Sequence, residues 1–127
     1  KVTLYGWVNN IRALGKITFL ILRDRSGLAQ VVIEDQKLEH LQPGTVLKVT
    51  GTVTKGQKIE LIHPTIEILS PVTEPPPLEY YKPDLQQDID FILDNRSIAL
   101  RNRKIQAVFK IQAEITHAFR LYMHDSI

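Results

Sequence analysis

Ile17-Thr-Phe-Leu-Ile-Leu-Arg-Asp-Arg-Ser-Gly-Leu-Ala-Gln-Val-Val-Ile33 holds two apolar runs joined around Arg25-Ser26-Gly27. Residues 24 to 27 carry turn chemistry, because glycine takes positive φ at little cost. The stretch reads as a β-hairpin. Pairing Asp24 with Gly27 sets its register, with Phe19 opposite Val32 and Gln30 opposite Ile21. Phe19 and Gln30 are then diagonal neighbours on one face, within roughly 7–8 Å. An aromatic ring beside an amide on a sheet surface suits a splayed-out base: the ring stacks and the amide reads an edge.

Outward from the hairpin, the first seventy residues read as strands. Val2-Thr-Leu-Tyr-Gly-Trp-Val8 alternates with period two, and Gly6 within it suggests a bulge or sharp bend. Residues 35–41 suit one helical turn or a loop, and Gln42-Pro-Gly-Thr45 a turn. Val46-Leu-Lys-Val-Thr-Gly-Thr-Val-Thr54 is strongly β-branched, and Lys55-Gly-Gln-Lys58 makes the next turn. Ile59-Glu-Leu-Ile62 and Ile66-Glu-Ile-Leu69 complete a fifth strand, broken at His63-Pro64. Five short strands at even spacing, with glycine in the first and fourth, predict an all-β five-stranded OB-fold barrel, whose binding face lies on strands two and three.

Pro71-Val-Thr-Glu-Pro-Pro-Pro77 reads as a Pro-rich linker, an extended spacer that can continue neither helix nor central strand. The acidic residues up to 95 read as an ordered strap. From Arg103 the pattern turns helical, with Ile105, Val108, Phe109, Ile115, Ala118, Phe119 and Tyr122 on one broad stripe. Asn102 could cap this C-terminal α-helix, although Arg103 and Lys104 oppose the dipole of its first turn. The expected organisation is a barrel over 1–70, a linker and strap over 71–95, and a segment containing the helix over 96–127.

With 127 residues, 43% of them hydrophobic, the chain can form one ordinary core. No apolar run approaches the roughly 20 residues of a bilayer span, so no membrane association is expected, and no signal peptide is visible. The absence of cysteine removes disulfides, Cys–zinc sites and thiol catalysis, and fits a cytoplasmic protein. A start at Lys1 and an end inside a helical pattern read as a fragment of something larger. Net charge is only +2, but Lys1, Arg12, Lys16 and Arg23 open the chain without an acid among them. Arg96, Arg101, Arg103, Lys104, Lys110 and Arg120 make its last segment basic, giving a polyanion two places to touch. Solvated surface charge is the alternative.

Gly6-Trp-Val8, Arg12, Gly15, Phe19, Leu22-Arg-Asp24, Gly27, Gln30 and Thr50-Gly-Thr-Val53 resemble the N-terminal anticodon-binding domain of aspartyl- and asparaginyl-tRNA synthetases. Arg96-Ser-Ile-Ala-Leu-Arg101 and Gln106-Ala-Val-Phe-Lys-Ile111 resemble the start of the class II catalytic domain. The resemblance implies that Phe19 stacks on the central anticodon base, a uridine, and that Gln30 hydrogen-bonds it. It implies that Arg12 and Glu60 help read the anticodon, that the partner is tRNA, and that the parent is a homodimer. The chemistry is independently sensible. Glutamine offers both a donor and an acceptor to the uracil edge, and arginine pairs with phosphate or a purine edge. A carboxylate accepts from base amino or imino groups.

The parent would join aspartate or asparagine to tRNA using ATP and magnesium, with motifs absent from this chain. No other catalytic constellation is visible, so this segment is expected to select tRNA and to catalyse nothing alone. His117 and His124 are seven residues apart but lack further ligands for zinc. The two cognate anticodons, GUC and GUU, differ only in their third base, which Phe19 and Gln30 cannot separate. Leu22-Arg-Asp-Arg-Ser-Gly27 looks more aspartyl-like; an asparaginyl enzyme and one charging both tRNAs remain open, while Gly6-Trp-Val8 suits a lysyl enzyme less well.

Each candidate has a plainer alternative. Phe19 could be core, Gln30 ordinary surface, Arg12 a solvated loop charge, and Glu60 a surface partner of Lys58. Trp7 and Tyr5 are expected in packing. A free-standing single-strand-binding OB module and a protein-interaction domain, the latter through the 105–122 stripe, are the rival functions. The stripe is expected to dock on its own barrel or to self-associate.

Overall fold

A computed structural model describes residues 1–34, 41–55 and 59–126. Of the helical turn or loop expected over 35–41, residues 35–40 lie outside the described residues, as do residues 56–58 of the turn expected over 55–58. Five strands come first: β1 (Val2–Leu14), β2 (Ile17–Arg23), β3 (Leu28–Glu34), β4 (Val46–Lys55) and β5 (Ile59–Ser70). Three helices follow: α1 (Ile89–Asp94), α2 (Arg96–Ala99) and α3 (Arg103–Asp125). Two compact units result, Lys1–Pro76 and Pro77–Ile127.

In the first unit the sheet closes on itself in the order β1-β2-β3-β5-β4. All pairings are antiparallel except β3 with β5, a parallel seam holding Gln30 beside Glu60 and Val31 beside Leu61. The β2–β3 hairpin has the expected register, Phe19 opposite Val32 and Ile21 opposite Gln30. Its turn is tied by Asp24 N–H donating to the Gly27 carbonyl at 3.1 Å. The Asp24 carboxylate also accepts from Ser26 Oγ, Ser26 N–H and Gly27 N–H at 2.7–2.9 Å. These donors, the Ser26 hydroxyl first among them, hold the Asp24 carboxyl below its usual range.

Strand β1 pairs with β4 through Val2 to Trp7 and with β2 from Trp7 to Leu14. Gly6 sits at this transfer, where a Cβ would collide with the Arg23 carbonyl oxygen; its smallness serves close approach. The bulge expected there falls later, between Val8 and Asn10. At Val8 the Gln42–Thr45 turn supplies both backbone partners, with Gly44 N–H and Thr45 C=O each at 2.8 Å. The break expected at His63-Pro64 is also a bulge inside one continuous strand: Thr50 pairs with Thr65 and Thr52 with Ile62, and His63 takes φ +49°.

Inward side chains make the core of Val8, Leu20, Leu22, Val31, Ile33, Leu41, Leu47, Val49 and Leu61. Each fully buried aliphatic contributes about 1.5–3 kcal/mol relative to exposure. Trp7 lies under the Arg23 guanidinium, 6.0 Å from the ring centroid. Tyr5, expected in packing, stands 59% exposed.

The second unit begins in turns and bends that carry no helix or strand through residue 88. Leu78, Tyr80, Ala99 and Asn102 are its buried residues. Asn102 caps α3, its Oδ1 accepting from Lys104 N–H at 2.9 Å and Ile105 N–H at 3.3 Å. Its Nδ2 donates to the carbonyls of Lys82 at 2.7 Å and Tyr80 at 3.1 Å. All four hydrogen-bonding positions of the amide are thus used, and the strap at 80–82 is tied to the helix start. Lys104, unfavourable to the dipole, is paired with Asp84. No helix among the described residues is long and apolar enough to cross a membrane.

Candidate nucleic-acid interface

Directly opposed residues of paired strands share a face, so registers decide which side chains meet. Arg12 pairs with Phe19 and Phe19 with Val32, forming one row across β1, β2 and β3. Ile21 pairs with Gln30 and Gln30 with Glu60, forming the adjacent row across β2, β3 and β5. All lie opposite the core side: Leu20, between Phe19 and Ile21, is fully buried, as is Val31 beside Gln30. The four candidates named from sequence therefore meet on one outer face.

Phe19 is half-buried outside the core cluster. Arg12 is exposed and has no partner among the described residues. Gln30 and Glu60 are half-buried and directly bonded, Gln30 Nε2 donating to Glu60 Oε1 at 2.7 Å. That bond fixes the amide's orientation. Gln30 Oε1 and Glu60 Oε2 remain as acceptors and the second Gln30 Nε2 hydrogen as a donor, so this end of the face offers both, while the Arg12 end donates only. Sequence reading did not foresee this bond, because it arises from a parallel pairing across thirty residues that leaves no local pattern. The expected alternative for Glu60, a pair with Lys58, lies outside the described residues. Chemically, the face offers a ring for stacking, an amide with a preset edge and a free guanidinium. These are the parts needed to hold an unpaired base beside a phosphate backbone.

Comparison with known proteins places the chain as a whole. The chain is 39% identical over 127 residues to an aspartate–tRNA(Asp/Asn) ligase of Thermus thermophilus, covering 97% of this chain and 30% of that protein. It is 34% identical over 137 residues to the ligase of the same name from Archaeoglobus fulgidus, covering 98% and 32%. Among solved structures, asparaginyl-tRNA synthetase from Pyrococcus horikoshii matches with TM-score 0.79 and 26% identity, over 98% of this chain and 32% of that one. The chain thus spans about a third of the length of the relatives it matches. The profile of the tRNA anti-codon family, described as an OB-fold nucleic acid binding domain, matches residues 2–69, all of the closed sheet but its last residue. Because that match covers more than half of the chain, the chain belongs to the tRNA anti-codon family of OB-fold nucleic acid binding domains.

Proposed function

We propose that this chain is the anticodon-reading part of an aspartyl-type tRNA ligase. The observation that carries the reading is the outer face on which Phe19 and the bonded Gln30–Glu60 pair stand together. In this reading the central uridine of the anticodon stacks on Phe19. Gln30 Oε1 accepts from the uracil N3–H, and the remaining Nε2 hydrogen donates to a uracil carbonyl. Glu60 holds the amide in that orientation and keeps one carboxylate oxygen for a neighbouring base, while Arg12 meets phosphate or a purine edge.

Residues 1–70 would form the reading module, 71–95 the connection, and 96–127 the entry to a catalytic domain. The parent would attach aspartate to tRNA with ATP and magnesium, as a cytoplasmic homodimer. The name shared by the relatives, which covers both tRNA(Asp) and tRNA(Asn), supports an aspartyl enzyme that tolerates either third anticodon base.

The test is binding of the chain to anticodon stem-loops carrying GUC, GUU and GCC at low and moderate salt. Preference for both central-uridine loops over GCC is expected, and a GUC–GUU gap would measure third-base discrimination. Equal, steeply salt-dependent binding to all three is phosphate attraction alone and would favour a generic single-strand-binding module.

A further inference from the structure

Asn10 also stands on the reading face. Its strand partner is Ile21, the partner of Gln30, which in turn pairs with Glu60. Asn10, Ile21, Gln30 and Glu60 form one row across four strands, beside the row of Arg12, Phe19 and Val32. Strands lie about 4.8 Å apart, so Asn10 and Gln30 are separated by roughly 10 Å, with Phe19 in the neighbouring row between them.

The bulge decides this placement. Val8 is fully buried, and in an unbroken strand Asn10 and Arg12 would point the same way. The extra residue at Asn9 changes the phase: Ile11 pairs with buried Leu20 and packs against the core, which leaves Asn10 and Arg12 outside. Asn10 Oδ1 accepts from Ile11 N–H at 2.8 Å. The amide is thereby oriented, and its Nδ2, a donor that cannot accept, has no partner among the described residues. The Asn10 end of the row donates; the Gln30–Glu60 end offers two acceptors and one remaining donor.

We infer that Asn10 is a further RNA-contact residue, donating from Nδ2 to an acceptor atom of the bound strand. The inference rests on the anticodon reading above. The acceptor is an RNA oxygen or ring nitrogen, on a base or on a phosphate, and the choice of loops separates the two sources.

Asn10→Asp keeps the acceptor for Ile11 N–H and removes the donor, whereas Asn10→Ala removes both without adding charge. Each would be compared with the unaltered chain for binding to GUC, GCC and scrambled loops at two salt concentrations, well below the melting midpoint. Both variants should bind the GUC loop about three- to tenfold more weakly, the size of one lost neutral hydrogen bond. A loss greatest for GUC assigns the contact to a base, and an equal loss on all loops assigns it to phosphate. A loss in Asn10→Ala alone makes Asn10 only a lock on the bulge, and a loss in Asn10→Asp alone is charge repulsion; either overturns the inference. So does unchanged binding by both variants while Gln30→Ala weakens it. If the unaltered chain does not prefer GUC to the scrambled loop, the anticodon reading itself fails, a result distinct from all of these.

Discussion

Phe19 shows how much one position can carry when its neighbours fix its orientation. Its ring is half-buried on the outer face while Leu20 beside it fills the core, so truncating each should have a different consequence. Phe19→Ala should weaken binding of a central-uridine loop by about 1–3 kcal/mol, the worth of one base–aromatic stack, with little change in melting temperature. Leu20→Ala should instead cost about 2–5 kcal/mol of stability. Titration of both variants with the GUC loop, beside their thermal melts, separates the two roles. A large drop in melting temperature for Phe19→Ala without weaker RNA binding would return Phe19 to the core. At this scale the sequence was largely legible, because a hairpin register follows from its turn and the turn residues are local. The Asn10 placement was not, since it depends on a phase change that Gly6, the more conspicuous residue, obscured.

At the scale of elements, two polar devices hold backbone in place. The Asp24 turn depends on an ionised carboxylate: its folded pKa lies below the unfolded value, so its contribution is present above that value and is lost as pH falls through the folded pKa. The hairpin should therefore loosen below about pH 4, seen as a titrating shift of the Ser26 and Gly27 amide resonances. Asp24→Asn, which keeps an oxygen acceptor, should remove that pH dependence. The Asn102 clamp is independent of pH. Asn102→Ala should cost about 1–3 kcal/mol, since it strands buried N–H and C=O groups. Asn102→Asp should restore the cap but not the bonds to the Tyr80 and Lys82 carbonyls, and denaturant midpoints of the three proteins would rank them. The cap was readable in sequence, but its other two bonds reach back twenty residues and were not. Nor were α1 and α2 anticipated: at six and four residues they are too short for a helical period to emerge.

At the scale of the whole molecule, the five strands and the long helix were legible because each has its own periodicity and punctuation. Closure was legible only as a class of fold, because the β3–β5 pairing joins segments with no turn between them. The apolar stripe of α3 was expected to dock or self-associate, and beyond half-buried Ile105 its members stand exposed, with Phe109 at 55%, Ile115 at 65% and Phe119 at 62%. An exposed apolar face of this length should drive concentration-dependent self-association. Light scattering should report a rising mass with concentration, which Ile115→Gln with Phe119→Gln should abolish without adding charge that would itself attract RNA. A strictly monomeric chain at high concentration would contradict this.

The parallel seam has a consequence for breathing. Among the described residues it joins β3 and β5 by two register pairs, Gln30 with Glu60 and Val31 with Leu61, while the β2–β3 ladder has seven. The sheet should therefore open first along this line, in fluctuations that leave the hairpin intact. Those same two strands supply Gln30 and Glu60, so a bound RNA loop bridges the opening edge like a rivet. Ligand at a hundred times its dissociation constant would raise the free energy of opening by about 2.7 kcal/mol. Amide hydrogens at residues 30–31 and 60–61 should then exchange more slowly with RNA bound, while those of α3 keep their unbound rates.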